Sequence, residues 1–118
     1  MEKRQSLKQL LEHQRVFAPC IWDCMSAKAA EMSGFPATLL SSGCMSFSMR
    51  GLPDMGLLTL DEVLMMTERI TNVSSLPLIV DAEDGYGDSP VHALSLIHIS
   101  LRVHTTLLVI WRPTVIAA

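Results

Sequence analysis

At 118 residues the chain has room for one domain, and with 49% hydrophobic and 18% charged residues it is globular rather than disordered. A formal net charge of −3 argues against a nucleic-acid surface, and no uninterrupted apolar stretch reaches membrane-spanning length. The three cysteines, Cys20, Cys24 and Cys44, lack the second pair that a zinc site needs and are expected to be reduced, buried thiols. Met1 to Gln5 leads into an amphipathic segment instead of a long apolar core, so a secretory signal is not expected and the cytoplasm is the expected location.

Ser6-Leu7-Lys8-Gln9 has the form of a capping box, with Leu7, Leu10 and Leu11 on one face of a first short helix. Val16 to Trp22 is apolar apart from Cys20 and reads as the first strand. Asp23 then caps a helix of small residues from Cys24 to about Ser33, closed by Gly34. Ala37 to Leu40 reads as a second strand running into a small-residue loop, Ser41-Ser42-Gly43-Cys44, and Gly51 to Gly56 as a turn-rich loop. Thr59 opens a third helix with Glu62 at the box position and Leu60, Val63, Leu64, Thr67 and Ile70 on one stripe. Met45, Met49, Met55, Met65 and Met66 read as core filler. A third strand, Leu78 to Val80, opened by Pro77, is apolar enough to be buried on both faces.

The order is α, β, α, β, α, β, which predicts an α/β fold of parallel strands with right-handed crossovers, the strands near 16–21, 37–41 and 77–81 being adjacent. Three strands are too few to close a barrel, which takes eight units and about 250 residues. Leu78 to Val80 meets Asp81, Glu83, Asp84 and Asp88, with Gly85 and Gly87 between them. Carboxylates packed that densely repel one another unless a cation or solvent offsets the repulsion. Ligands of α/β proteins sit at the carboxyl ends of parallel strands, where this cluster falls. On the residues alone a cation site and a solvated acidic turn both remain open. Asp54, Ser41 and Ser42 read equally well as turn residues, Tyr86 as packing under its loop, and Cys44 as a small buried residue with nothing nearby to activate it.

Four motifs occur in order: Ser41-Ser42-Gly43, Gly51-Leu52-Pro53-Asp54-x-Gly56, Thr59-Leu60-Asp61-Glu62-Val63, and Leu78-Ile79-Val80-Asp81-Ala82-Glu83-Asp84-Gly85-Tyr86-Gly87. Together they resemble the isocitrate lyase/phosphoenolpyruvate mutase superfamily, in the branch of 2-methylisocitrate lyases, phosphonomutases and oxaloacetate-type decarboxylases. The resemblance covers residues from about 6 to 92. It implies the first three β/α units of a (β/α)8 TIM-type barrel, a homo-oligomeric parent enzyme, and Mg2+ with a small 2-oxo or 2-hydroxy carboxylic acid at the carboxyl ends of the strands. By the same resemblance Asp81 matches the first metal-site carboxylate, and Glu83 stands where many members have a second Asp. Asp54 matches an active-site Asp. Ser41, Ser42 and Gly43 match the substrate loop, often Ser-Gly-Gly elsewhere, whose backbone N–H groups contact the substrate carboxylate. The implied chemistry is Mg2+-dependent C–C cleavage or phosphonomutase rearrangement.

All twelve acidic residues lie at or before Asp88, and the thirty residues beyond it carry two Arg and three His and no acid. The family pattern of a fourth strand with a metal-site Glu, a gating loop and a substrate Arg does not continue there. Residues 1–93 therefore read as the N-terminal part of a family barrel. Residues 94–118 read as a non-family tail, artefactual or disordered, in which Leu94 to Ser100 resembles translated vector sequence. Such a chain is expected to be inactive alone. The competing expectation is a non-catalytic small α/β domain that associates through its apolar tail.

Overall fold

The structure, a computed structural model, describes residues 7–83 and Tyr86. The described elements are α1 (Leu7–His13), β1 (Cys20–Ile21), α2 (Cys24–Met32), β2 (Thr38–Leu40), α3 (Ser42–Arg50), α4 (Leu60–Val73) and β3 (Leu78–Val80). The three strands form one sheet in the order β1-β2-β3, and both pairs are parallel, as the alternation of capped helices and short apolar runs predicts. In register, Cys20 and Ile21 lie opposite Leu39 and Leu40, and Thr38 to Leu40 opposite Leu78 to Val80. No helix among the described residues is long and apolar enough to cross a membrane.

β1 is shorter than the apolar run from Val16 suggests. Pro19 has no N–H for the ladder, although its carbonyl accepts from Leu39 N at 3.0 Å. Upstream of it Phe17 leaves the sheet and stacks on Phe35, ring centroids 5.9 Å apart.

The helices form where their local chemistry places them. Asp23 and Ser26 make a reciprocal capping box on α2, the Asp23 Oδ1 accepting from Ser26 N at 2.7 Å. Thr59 and Glu62 make the same device on α4, and Gly34 takes the left-handed φ of +79° that ends α2. Ala27 and Ala30 let α2 approach closely, while Val63, Met66 and Ile70 give α4 its apolar stripe. These pack with Ile21, Leu40, Leu78 and Val80 of the sheet into one core. Each Ile or Leu fully buried there contributes about 1.5–3 kcal/mol.

Four expectations need correction. Ser42–Arg50 is a helix and not a loop, so the order is α, β, α, β, α, α, β. Its composition is poor for a helix, but Ser41 caps it, the hydroxyl accepting from Cys44 N at 3.2 Å, and Gly51 ends it at a φ of +64°. Leu11 is exposed while Leu7 and Leu10 are buried, so only part of the expected leucine face of α1 meets the core. Met49 and Met55 are also exposed, the first near the end of α3 and the second in the loop beyond it, whereas Met45 and Met66 do fill the core. Of the three cysteines, expected to be buried, Cys20 is exposed and Cys24 and Cys44 are half-buried; all three are free thiols. The Ser6 capping box, Asp84, Gly85, Gly87, Asp88 and the tail from 94 to 118 lie outside the described residues.

One tie across the helical layer is electrostatic. Glu31 on α2 accepts from the Ser75 hydroxyl at 2.6 Å and the Ser75 N–H at 2.8 Å, and from Lys28 at 2.9 Å. The Ser75 hydroxyl, then the Ser75 N–H and Lys28, hold the Glu31 carboxyl down to about 2, from an ordinary value of 4.5. Because the folded-state value is depressed, the tie stabilises fully above about 4.5 and is lost as pH falls through about 2. Glu31→Gln should therefore cost about 1 kcal/mol at neutral pH, since the group is only partly shielded. The difference from wild type in urea unfolding should shrink towards zero as pH approaches about 2. A difference that stays constant with pH would show that the charge contributes nothing.

Candidate functional site

The sheet ladder continues past the ends of the strands. Ser41 N donates to Ile21 O at 3.0 Å, and Asp81 N donates to Leu40 O at 3.1 Å. These two bonds fix Ser41 and Asp81 at the carboxyl ends of β2 and β3, where α3 begins at Ser42.

Side chains then close the gap. The Ser42 hydroxyl donates to Asp81 Oδ2 at 3.1 Å, and the Glu83 N–H donates to Asp81 Oδ1 at 3.0 Å. Tyr86 donates its hydroxyl to the Asp81 carbonyl at 3.3 Å while its ring packs on the core. Glu83 and Tyr86 both take left-handed backbone, at φ +46° and +59°. That is an uncommon conformation for non-glycine residues.

The loop after α3 brings in Asp54. The buried Ser46 hydroxyl, one turn along from Ser42, donates to the Pro53 carbonyl at 3.1 Å and anchors the loop to the helix. Asp54 then lies against Gly43 so closely that a Cβ on Gly43 would meet Asp54 Oδ2 at 2.9 Å and its Cβ at 3.2 Å. Further along, Gly56, at φ +68°, passes Glu83, whose Oε2 would lie 4.0 Å from a Cβ there. At the far end of α3, Arg50 pairs with Glu62. The Thr59 N–H, followed by Arg50, holds the Glu62 carboxyl below its usual value.

The residues matched to site positions by the resemblance, Ser41, Ser42, Gly43, Asp54, Asp81 and Glu83, thus lie at one end of the sheet. The Ser41 hydroxyl faces back onto the helix it caps, and the Ser42 hydroxyl is held by Asp81. Helix geometry leaves the N–H groups of Ser42 and Gly43 without an intrahelical acceptor, next to the Asp54 carboxylate and the positive end of the α3 dipole. Sequence reasoning missed α3, the Ser46 anchor and the Tyr86 hydrogen bond. The Ser41 cap and the Gly51 stop were the available signals for the first; the other two are contacts with no local signature.

Among the described residues no three His, Cys, Asp or Glu side chains form a closed metal cluster. The donor set nonetheless suits a hard cation. Asp81 accepts one neutral donor on each oxygen, and among the described residues no Lys or Arg pairs with it. Each oxygen therefore keeps a lone pair for an oxygen-seeking ion such as Mg2+. A groove of about 410 Å3 along β1 and α2, lined by Pro19, Trp22, Met25, Ala29 and Phe35 among others, shares no residue with this site.

Residues 7–105 match the family model described as phosphoenolpyruvate phosphomutase. The chain is 38% identical over 88 residues to oxaloacetate decarboxylase of Paraburkholderia xenovorans, covering 74% of this chain and 29% of that protein. It is 49% identical over 63 residues to 2-methylisocitrate lyase of Escherichia coli, covering 53% of this chain and 21% of that enzyme. The crystal structure of 2,3-dimethylmalate lyase, described as a PEP mutase/isocitrate lyase superfamily member, superposes with a TM-score of 0.77 at 31% identity. That superposition covers 85% of this chain and 36% of the lyase. The chain thus spans about a third or less of the length of these relatives.

Proposed function

The chain belongs to the phosphoenolpyruvate phosphomutase family of lyases and mutases, and from that premise we propose that it carries one part of a Mg2+-dependent active site for a small 2-oxo or 2-hydroxy carboxylic acid. The observation that supports this most directly is the hydrogen-bonded run Ser42–Asp81–Glu83 at the carboxyl ends of β2 and β3. Asp81 and Glu83 are the residues that would hold the metal. When bound, Mg2+ supplies positive charge against the enolate that forms when a bond beside a carbonyl is broken.

This chain's own groups would do the rest. The N–H groups at the start of α3, at Ser42 and Gly43, would bind a substrate carboxylate, with help from the helix dipole. Asp54, which rests on Gly43, would act on the bound acid as the catalytic carboxylate. Alone, the chain is expected to bind Mg2+ weakly and to turn over nothing.

The test is to join residues 1–93 to the remaining barrel of the 2-methylisocitrate lyase relative and to assay cleavage of 2-methylisocitrate-type acids. Turnover abolished by EDTA and restored by Mg2+ is the expected result. A folded chimaera that cleaves equally well in EDTA would overturn the metal reading.

A further inference from the structure

We infer that Ser42 is a positioning residue whose buried hydroxyl holds the Asp81 carboxylate in the orientation that receives a divalent cation. This rests on the metal reading of Asp81 given above and adds a residue to it. The loop this segment resembles often has glycine at the position of Ser42.

The backbone alone does not orient Asp81. Its N–H bond to Leu40 O fixes the Cα and leaves both side-chain torsions free. Two donors remove that freedom. The Glu83 N–H takes Oδ1, and Ser42, 2% exposed at the first position of α3, takes Oδ2. The serine is itself rigid, because helix backbone carries it and packing encloses it. A carboxylate held at both oxygens keeps its outward lone pairs in place for a cation, so less ordering is required on binding. A buried hydroxyl also needs an acceptor for its own sake, and a purely structural role would rest on that need alone. The two roles differ in what happens to metal affinity.

The experiment is a Mn2+ titration of the 118-residue chain, with free Mn2+ read by electron paramagnetic resonance and folding checked by circular dichroism. Removing an outer hydrogen-bond partner of a ligating group typically weakens metal binding about 10–100-fold. Ser42→Ala and Ser42→Gly should each raise the Mn2+ Kd by about tenfold, the lower end of that range, because Glu83 N–H still holds Oδ1. Thr67→Ala removes another buried hydroxyl, bonded to Val63 O within α4, and should leave the Kd unchanged whatever it does to stability. If Asp81→Ala weakens Mn2+ binding and both Ser42 variants bind as wild type, the inference is overturned and the metal reading stands. If Asp81→Ala leaves Mn2+ binding unchanged, the metal reading falls and the inference falls with it.

Discussion

Asp81→Ala, introduced into the barrel completed from the 2-methylisocitrate lyase relative, is expected to lower kcat/KM by about 10²–10³-fold, equivalent to about 3–4 kcal/mol of transition-state stabilisation. The size follows from what the residue does in the proposed site. Asp81 is the anchor around which the end of β3 is arranged: Ser42 and Glu83 hold its carboxylate, and Tyr86 holds its carbonyl. Alanine keeps the backbone ladder to Leu40 and the Tyr86 bond, since both use main-chain atoms. It removes the carboxylate, so the Ser42 hydroxyl is left buried without its acceptor and the Glu83 N–H loses its bond to Oδ1. The fold cost is therefore at least about 1–3 kcal/mol, the penalty for one unsatisfied buried donor, and should appear separately in thermal unfolding. Steady-state kinetics at increasing Mg2+ separates the two effects. A loss that saturating Mg2+ only partly restores is expected; unchanged activity would show that Asp81 holds no metal.

Gly43→Ala should lower the rate of the same chimaera by about 10²-fold, the effect expected when a reacting group is displaced by about 1 Å. Gly43 has ordinary helical backbone, so strain in φ is not the cause. The cause is space. A Cβ there would stand 2.9 Å from Asp54 Oδ2, 3.1 Å from Cγ and 3.2 Å from Cβ, so the whole side chain must move and not only its tip. The loop has little room to give, because Ser46 holds Pro53 immediately before Asp54. Asp54→Ala should lower the rate too while leaving Mg2+ affinity nearly unchanged. The double variant, Gly43→Ala with Asp54→Ala, should be hardly slower than Asp54→Ala alone, because both changes act through one carboxylate. Fully additive losses would mean that Gly43 acts independently of Asp54.

The residues of the candidate site and their place at the carboxyl ends of the strands were legible in the sequence, and the contacts between their side chains were not. Capping boxes work within four residues, so Asp23 with Ser26 and Thr59 with Glu62 act as their sequence suggests, and Gly34 stops α2 where it stands. The apolar runs at Ala37–Leu40 and Leu78–Val80, separated by capped helices, likewise determine parallel strands by themselves. Helix α3 escaped because its inward face is built largely from serines. Ser42 and Ser46 are buried there with Met45, and a hydrophobic period cannot register hydroxyls whose acceptors lie elsewhere. Those acceptors were decided only by the tertiary structure. Ser42 meets Asp81 across 39 residues because the parallel register of β2 and β3 brings Leu40 level with Val80. Asp54 reaches Gly43 because Ser46 pulls Pro53 onto the helix. Local patterns act through neighbouring backbone and survive in the sequence alone. The orientation of the Asp81 carboxylate depends on two strands, one helix and one loop being in place together, and only the folded chain supplies that.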